Sequence, residues 1–169
     1  IKLNNFSSSS ISEIRKAAFS LKNKGMKNLI LDLQNNGGGY LKTAVDLADE
    51  ILPGNRKIVS TKGRKFPEKI YGGNNTGLLE NGKIIVLVNE SSASASEIVS
   101  GAIQDWDRGL IVGRRTFGKG LVQKPIQLPD GTQVRITTSK YYTPSGRCIQ
   151  KSYSDGSMAY RKEKYSRYK

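Results

Sequence analysis

A serine-rich loop in the middle of this sequence is the first place where chemistry could occur. Residues 91–96 read Ser-Ser-Ala-Ser-Ala-Ser and join an apolar run to a helical pattern. A serine at a helix N-terminus lies where the helix dipole favours negative charge, which helps a developing alkoxide or oxyanion. Ser94 and Glu97 also fit a capping box, in which the serine only satisfies main-chain N–H groups of the helix. Both interpretations stay open for each serine of this loop.

A second candidate loop holds a lysine between two glycines, Gly118-Lys119-Gly120. A lysine amine can act as a general base where burial lowers its pKa from about 10.4 toward about 7–8. Gln123 lies four residues further along the chain. In an extended strand it would share a face with Lys119 but lie far from it along the strand, so the glycines must bend the chain before the two side chains can meet. A lysine between glycines is also typical of a surface turn.

The residues before this lysine match the first seven positions of a phosphate-binding GxxxxGKS/T loop, from Gly113 to Lys119. The eighth position is Gly120, which has no hydroxyl for Mg²⁺, and a strand pattern follows instead of a helix. Nucleotide binding is therefore disfavoured.

A third candidate loop consists of three glycines, Gly37-Gly38-Gly39, and opens a helical pattern. Unhindered main-chain N–H groups at a helix start suit an oxyanion or a phosphate. Three glycines are also typical of a purely structural turn, so this loop alone does not decide the function.

Composition excludes several common catalytic and metal-binding centres. The 169 residues contain no histidine and one cysteine, Cys148. This composition excludes Ser-His-Asp and Cys-His catalysis, histidine metal sites and thiolate zinc clusters, and no metal or cofactor is predicted.

The chain carries 28 Lys and Arg against 14 Asp and Glu, a net charge of +14. Nucleic acid or an anionic membrane surface is one interpretation, but no stripe of aromatics interleaves the basic residues, so we favour a solvated basic surface and no nucleic acid.

Short apolar runs, and apolar residues at helical spacing, predict the strands and helices that must position these loops. Strands are expected at 29–33, 84–88 and 110–112, and helices at 11–21, 41–51 and 98–106. Strands that alternate with helices imply crossover connections and a mainly parallel sheet, which is an α/β fold. Residues 122–128 and 133–142 flank a Pro-Asp-Gly turn and predict a C-terminal antiparallel hairpin.

The remaining segments carry weaker patterns. Residues 54–82 are polar, basic and glycine-rich, and no helix or strand is predicted there. Residues 151–169 lack any apolar period and predict a basic tail that docks weakly or not at all. The sequence therefore predicts one core over residues 1–150, followed by this tail.

Taken together, these loops resemble the carboxyl-terminal processing peptidases, also called tail-specific proteases. The resemblance runs from about residue 1 to about residue 150 and rests on four ordered stretches: DLQNNGGGYL within 29–41, VLVNESSASASE at 86–97, TFGKGLVQ at 116–123 and YTPSGRCIQ at 142–150. Two positions depart from the family pattern, since Gln34 stands where the family usually has arginine and Gly37 where it usually has proline.

The resemblance implies a role for each candidate residue. Ser94 would be the nucleophile and Lys119, 25 positions later, the general base. Gln123 is similar to the family residue that holds the lysine amine in place. A Ser–Lys pair is also one of the few hydrolytic centres possible without histidine or thiol ligands. The oxyanion donors would be the main-chain N–H groups of Ala95 and Gly38, with Gly39 as the fallback for Gly38.

The resemblance also implies properties of the whole protein. The family core is similar to enoyl-CoA hydratase and Clp protease, and a PDZ domain normally precedes it and binds the free C-terminus of a protein substrate. A PDZ domain is therefore expected upstream, since these residues do not contain one. The family acts mostly in the periplasm or cell envelope, or in the thylakoid lumen, which implies proximity to a membrane. The resemblance leaves the oligomeric state open.

Three other functions compete with a serine endopeptidase. A non-catalytic peptide- or ligand-binding module could use the same scaffold, although intact Ser94, Lys119 and Gln123 count against it. An acyl-CoA enzyme similar to enoyl-CoA hydratase would need acidic catalytic groups, for which Glu90 and Glu97 are the nearby candidates. A basic nucleic-acid-binding domain is the least favoured.

Overall fold

Strands and helices alternate along most of the chain. The computed structural model describes residues 1–74 and 76–166. Its elements are α1 (Ser10–Asn23), β1 (Leu29–Asp32), α2 (Leu41–Ile51), β2 (Lys57–Lys62), β3 (Lys69–Gly72), β4 (Ile84–Val88), α3 (Ala95–Asp105), β5 (Leu110–Gly113), β6 (Leu121–Gln127), β7 (Gln133–Tyr142) and α4 (Gly156–Ser166).

A parallel sheet with strand order β1-β4-β5 forms the centre of the α/β part. β4 is the middle strand, and its Val86 pairs with Leu31 on one side and with Ile111 on the other. Leu31 and Val86 are fully buried, whereas Ile30 and Leu110 are exposed, so the core covers one face of this sheet more completely than the other. Helices α2 and α3 pack on each other and contribute apolar residues at helical spacing to the same core. The predicted parallel sheet and its helices are thus confirmed.

A second sheet is antiparallel, in the order β3-β2-β7-β6, and is larger than the sequence predicted. The predicted hairpin is present as β6 and β7, but β2 and β3 add two strands from residues 54–82, where none was predicted. Ile58 and Val59 of β2 are buried, yet lysine and serine surround them, so the apolar run is too short to predict a strand. The fold therefore combines a parallel and an antiparallel sheet rather than one mainly parallel sheet.

Helix α4 occupies much of the segment that was predicted to be a weakly docked tail. Tyr160 of this helix contacts Phe117 edge to face, and Glu163 accepts a hydrogen bond of 2.9 Å from Lys151 Nζ. These are ring and charge contacts rather than an apolar stripe, so periodicity could not predict the helix. The last three residues of the predicted tail, 167–169, lie outside the described residues. Within the described part of the chain, no helix is both long and apolar enough to cross a bilayer.

Candidate active site

Ser94 lies at the turn between β4 and α3. Because β4 is the middle strand, this turn is at the centre of the carboxyl edge of the parallel sheet, the usual place for a site in an α/β fold. Ser94 is the N-cap residue of α3, and its backbone has φ 57° and ψ −111°. Residues that carry a Cβ rarely adopt this conformation, which costs on the order of 1–3 kcal/mol and occurs mostly where the surrounding structure enforces it, often at functional sites.

Two neighbouring serines supply part of that enforcement. The buried Ser92 hydroxyl donates to the Leu33 carbonyl (2.8 Å), and the buried Ser96 hydroxyl donates to the Asn36 carbonyl (2.9 Å). Both bonds tie the serine loop to the segment that follows β1. Ser92 and Ser96 therefore have structural roles, whereas Ser94 is only half-buried at the helix start. The geometry separates serines that the sequence left equivalent.

The glycine loop lies directly on the Ser94 turn. A Cβ built on Gly38 would lie 2.7 Å from the Ala93 carbonyl oxygen, 2.8 Å from Ser94 Cβ and 2.9 Å from the Ala95 nitrogen. The φ of Gly38 is +103°, so this position requires glycine for both its backbone angle and its close approach. The structure thus brings together Gly38, Ser94 and Ala95, which the sequence had placed in two separate loops.

Asn36 organises this loop and was not singled out from the sequence. Its buried amide donates to the Leu3 carbonyl (2.7 Å), and its Oδ1 accepts a hydrogen bond from the Gly38 N–H (2.9 Å). The Gly38 N–H is therefore engaged in this conformation. Phe6 pairs alongside the loop, donating its N–H to the Gly38 carbonyl and accepting from the Tyr40 N–H, a pairing that does not use the Gly39 N–H.

The loop that carries Lys119 is tied to the Ser94 turn by its main chain. The Phe117 N–H donates to the Ser92 carbonyl (3.0 Å). The carboxylate of Glu97 accepts hydrogen bonds from the N–H groups of Gly118 (2.6 Å, to Oε1) and Lys119 (2.8 Å, to Oε2). These bonds bring together two loops that belong to different connections of the fold.

Glu97 also binds the Ser94 turn. Its Oε2, which accepts from Lys119, accepts a 2.8 Å hydrogen bond from the Ser94 N–H as well. The main-chain nitrogens of Ser94 and Lys119 each lie 2.8 Å from this oxygen, so the distance between them is at most the sum of the two hydrogen-bond lengths. Glu97 is 5% exposed, and a buried carboxylate needs such donors to offset its lost hydration. The sequence indicated its capping role but not its bonds to the lysine loop.

The two remaining predicted site residues lie at the surface. Lys119 is exposed, so the structure does not bury its side chain as a lysine base requires. Gln123 is also exposed and lies on β6, where it pairs with Thr137 next to an irregularity in the register of β6 and β7. The main chain of Lys119 is therefore brought to Ser94, while its side chain and Gln123 face solvent.

The other acidic groups near the site are engaged in ion pairs or main-chain contacts. Glu90 is buried and accepts a 2.6 Å hydrogen bond from Arg114 Nε. With Glu97 committed to three N–H groups, neither acid suits the proton transfers that an acyl-CoA enzyme would need. Among the residues that the structure describes, no cluster of His, Cys, Asp or Glu could hold a metal ion.

Asp105, near the far end of α3, joins this helix to the turn at 143–147. It accepts hydrogen bonds from the Ser145 N–H (3.0 Å) and the Ser145 hydroxyl (2.6 Å), and it pairs with Arg147. Partial burial acts to raise the pKa of Asp105, but the hydrogen bonds from Ser145, Thr143 and Arg147 outweigh it and lower the pKa to about 2.

Comparisons with known proteins show what this chain is similar to. The sequence profile of peptidase family S41 matches residues 1–156. The carboxyl-terminal-processing protease of Synechocystis sp. is 40% identical over 151 residues, which are 89% of this chain and 35% of that protein. The chloroplastic carboxyl-terminal-processing peptidase 3 of Arabidopsis thaliana is 39% identical over 86% of this chain and 28% of its own length.

A solved structure is similar over the same region. The photosystem II D1 C-terminal processing protease superposes with a TM-score of 0.82 at 36% identity, covering 88% of this chain and 38% of that one. The chain thus spans about a third of the length of the relatives it matches.

Proposed function

Because the chain belongs to peptidase family S41, we propose that it is the catalytic core of a serine endopeptidase that cleaves polypeptides near their C-termini. The observation that carries the proposal is the Glu97 carboxylate, which accepts hydrogen bonds from the main chains of both Ser94 and Lys119. The main chains that carry the proposed nucleophile and the proposed base are thereby held next to each other, although they belong to separate loops.

In this proposal Ser94 Oγ attacks the scissile carbonyl while the Lys119 amine takes its proton. The amine then returns the proton to the leaving nitrogen, and a peptide acyl group remains esterified to Ser94. Water, deprotonated by the same amine, attacks the ester; the bond to Ser94 Oγ breaks, the amine returns the proton to Oγ, and the product acid is released. The strained backbone of Ser94 supports this role, because conformations of this kind occur often at functional sites.

The negative charge of the tetrahedral intermediate would be stabilised by main-chain N–H groups. Ala95 is the first residue of α3, where N–H groups lack partners within the helix. Gly38 is in contact with the same turn, but its N–H donates to Asn36, so it must exchange that acceptor for the oxyanion. The Gly39 N–H, which the Phe6 pairing does not use, is the alternative second donor.

Because Lys119 is exposed, we expect a bound substrate to supply the contacts that shield its amine from water. A peptide seated across Ser94 would cover the neighbouring lysine loop and exclude water from the amine. Gln123 would hold the amine by a hydrogen bond once the side chain turns toward Ser94. This sequence of events makes the base active only when a substrate is present.

Several properties of the whole protein follow from the relatives rather than from this chain. We propose that a PDZ domain upstream selects substrates by their free C-termini and that the protein acts in the periplasm or cell envelope, close to a membrane. The proposed location is supported by the bacterial and chloroplast origin of the relatives. We further propose that the parallel sheet and its helices share the core architecture of enoyl-CoA hydratase and Clp protease.

The test is hydrolysis of an unfolded polypeptide with an apolar C-terminus by the complete protein. Ser94→Ala and Lys119→Ala should each lower kcat by about 10⁴-fold or more, as expected when a nucleophile or its base is lost. Ser91→Ala in the same loop and Lys124→Ala on β6 are matched controls that should retain activity. A chelator should have no effect.

Circular dichroism should show that both inactive variants remain folded. Hydrolysis at the wild-type rate by either variant would reject the Ser–Lys pair. A rate that is flat from neutral to strongly alkaline pH would contradict a lysine base, because the neutral amine is the reactive form.

A further inference from the structure

Both glycines that flank Lys119 lie directly on the segment at 149–151. A Cβ built on Gly120 would lie 2.4 Å from the Gln150 nitrogen, and one on Gly118 would lie 2.8 Å from Lys151 Cβ and 3.0 Å from Lys151 Cγ. The Lys151 N–H donates to the Gly118 carbonyl (3.0 Å), and the Gly120 N–H donates to Gln150 Oε1 (2.9 Å). The main chain on either side of Lys119 therefore takes its position from this segment.

The side chain of Lys151 is buried although it carries a charge. It is 7% exposed, and its stem lies along Gly118. Its ammonium donates to the Glu163 carboxylate (2.9 Å) and to the Tyr160 carbonyl (2.8 Å), and it lies 3.7 Å from the centroid of the Tyr160 ring and 5.3 Å from that of Phe117. A buried ammonium is stable only with partners of this kind, and α4 supplies most of them.

Tyr160 keeps its neutral form beside this ammonium. Burial raises the pKa of Tyr160 to about 12, although a hydrogen bond from Gln150 opposes the shift. The phenol ring therefore faces the ammonium as a neutral aromatic group over the pH range in which a protease acts.

Two further contacts reach the lysine loop from α4: Arg115 pairs with Glu163 (3.4 Å), and the Phe117 ring meets the Tyr160 ring edge to face. A groove of about 820 Å³ opens between α3, β5 and residues 147–152, and Thr116 and Gly118 of the loop line it. A loop beside an open groove is not held by close packing, so a few discrete contacts set its position.

We propose that Lys151 is a positioning residue for the candidate base: clamped by Glu163 and Tyr160 of α4, its stem holds Gly118 so that Lys119 meets Ser94. This proposal rests on the proposed function. It makes α4 part of the catalytic apparatus, although the helix supplies no reacting group. The charge pair between Lys151 and Glu163 determines how well the loop is aligned, and therefore acts on kcat rather than on substrate binding.

The experiment measures kcat and KM of the complete protein on a peptide substrate. Lys151→Met keeps an unbranched stem against Gly118 but removes the charge, and it should lower kcat by about tenfold or more with KM within about twofold. Lys151→Arg restores the charge and should recover most of the loss. Lys162→Met, at an exposed position of the same helix, is the matched control and should behave as wild type.

Glu163→Gln tests the clamp from its other side and should lower kcat in the same direction as Lys151→Met, whether or not the latter folds well. Unchanged kcat in both variants, or an effect confined to KM, would overturn the proposal. The outcome for the proposed function is separate: if Ser94→Ala hydrolyses peptide at the wild-type rate, that function fails, whereas an inactive Ser94→Ala with a fully active Lys151→Met rejects the positioning role alone.

Discussion

The two halves of the candidate site are built in different ways. The Ser94 turn follows the middle strand of the parallel sheet and is surrounded by buried residues, with Ser92 and Ser96 bonded to the neighbouring loop. The Lys119 loop follows the edge strand β5, is only partly buried, and adjoins an open groove. The candidate nucleophile therefore takes its position from core packing, whereas the candidate base takes its position largely from polar contacts. In such a site, the alignment of the base is the easier of the two to change.

Glu97 is the connection between these halves. It belongs to the buried framework, since it is in the first turn of α3, yet it also binds the main chain of the exposed loop. The buried first turn of α3 thus helps to position a loop that is itself only partly buried. Substitutions on either side of this connection should separate effects on stability from effects on alignment.

Gly38→Ala should have the largest effect, because it acts on the packed half. The added methyl would overlap the Ala93 carbonyl, Ser94 and the Ala95 nitrogen at a φ that alanine rarely adopts. We expect a loss of unfolding free energy of about 1–3 kcal/mol and a fall in kcat of about 10²-fold or more, measured by urea unfolding and peptide hydrolysis. Gly37→Ala is the matched control, because a methyl there meets no atom within 4 Å. Equal losses in both variants would contradict the packed contact.

Glu97→Gln should have a smaller effect, mainly on alignment. The amide keeps an oxygen acceptor but loses the charge, so it cannot accept all three N–H groups as strongly. We expect kcat to fall by about tenfold while KM stays similar, measured on the same peptide. Glu13→Gln changes an exposed residue in the first turn of α1 and should leave kcat and KM unchanged. Wild-type kcat in Glu97→Gln would show that the two halves do not depend on this carboxylate.

Asp105 should have the smallest effect, and it should appear in stability. Because its pKa is about 2 in the folded protein and 3.8 ordinarily, the ionised carboxylate stabilises the fold above about pH 4. The stabilisation decreases as the pH falls from 4 toward 2. Urea unfolding should therefore show Asp105→Asn less stable than wild type at pH 7, with a difference that disappears near pH 2. The exposed Asp107→Asn should show no such dependence, and a difference independent of pH would exclude this cause.

The sequence predicted the packed half of the molecule better than the other. The strands and helices around the Ser94 turn bury continuous apolar runs, such as β4, and so have a pattern that can be read locally. β2 could not be predicted because its apolar run is short and its pairing partner β7 comes from a distant part of the chain. Helix α4 could not be predicted because ring contacts and a charge pair hold it rather than an apolar face.

The same distinction applies to the candidate site. The motifs led to Ser94 and Lys119 as candidates, because glycines and serines at fixed spacing are visible in a sequence. They did not identify the bonds that align the two, since Glu97 looks like an ordinary cap and Lys151 like part of a basic tail. Alignment depends on which groups meet across loops, and that is a property of the folded chain.

The pairing of Phe6 with the glycine loop has a mechanical consequence. Main-chain hydrogen bonds join Phe6 to the residues on both sides of Gly39, and Leu3 accepts the Asn36 amide. The first six residues are therefore coupled to the glycine loop, and through Gly38 to the Ser94 turn. A displacement of the N-terminal segment is thus expected to carry over to the loop that contacts Ser94.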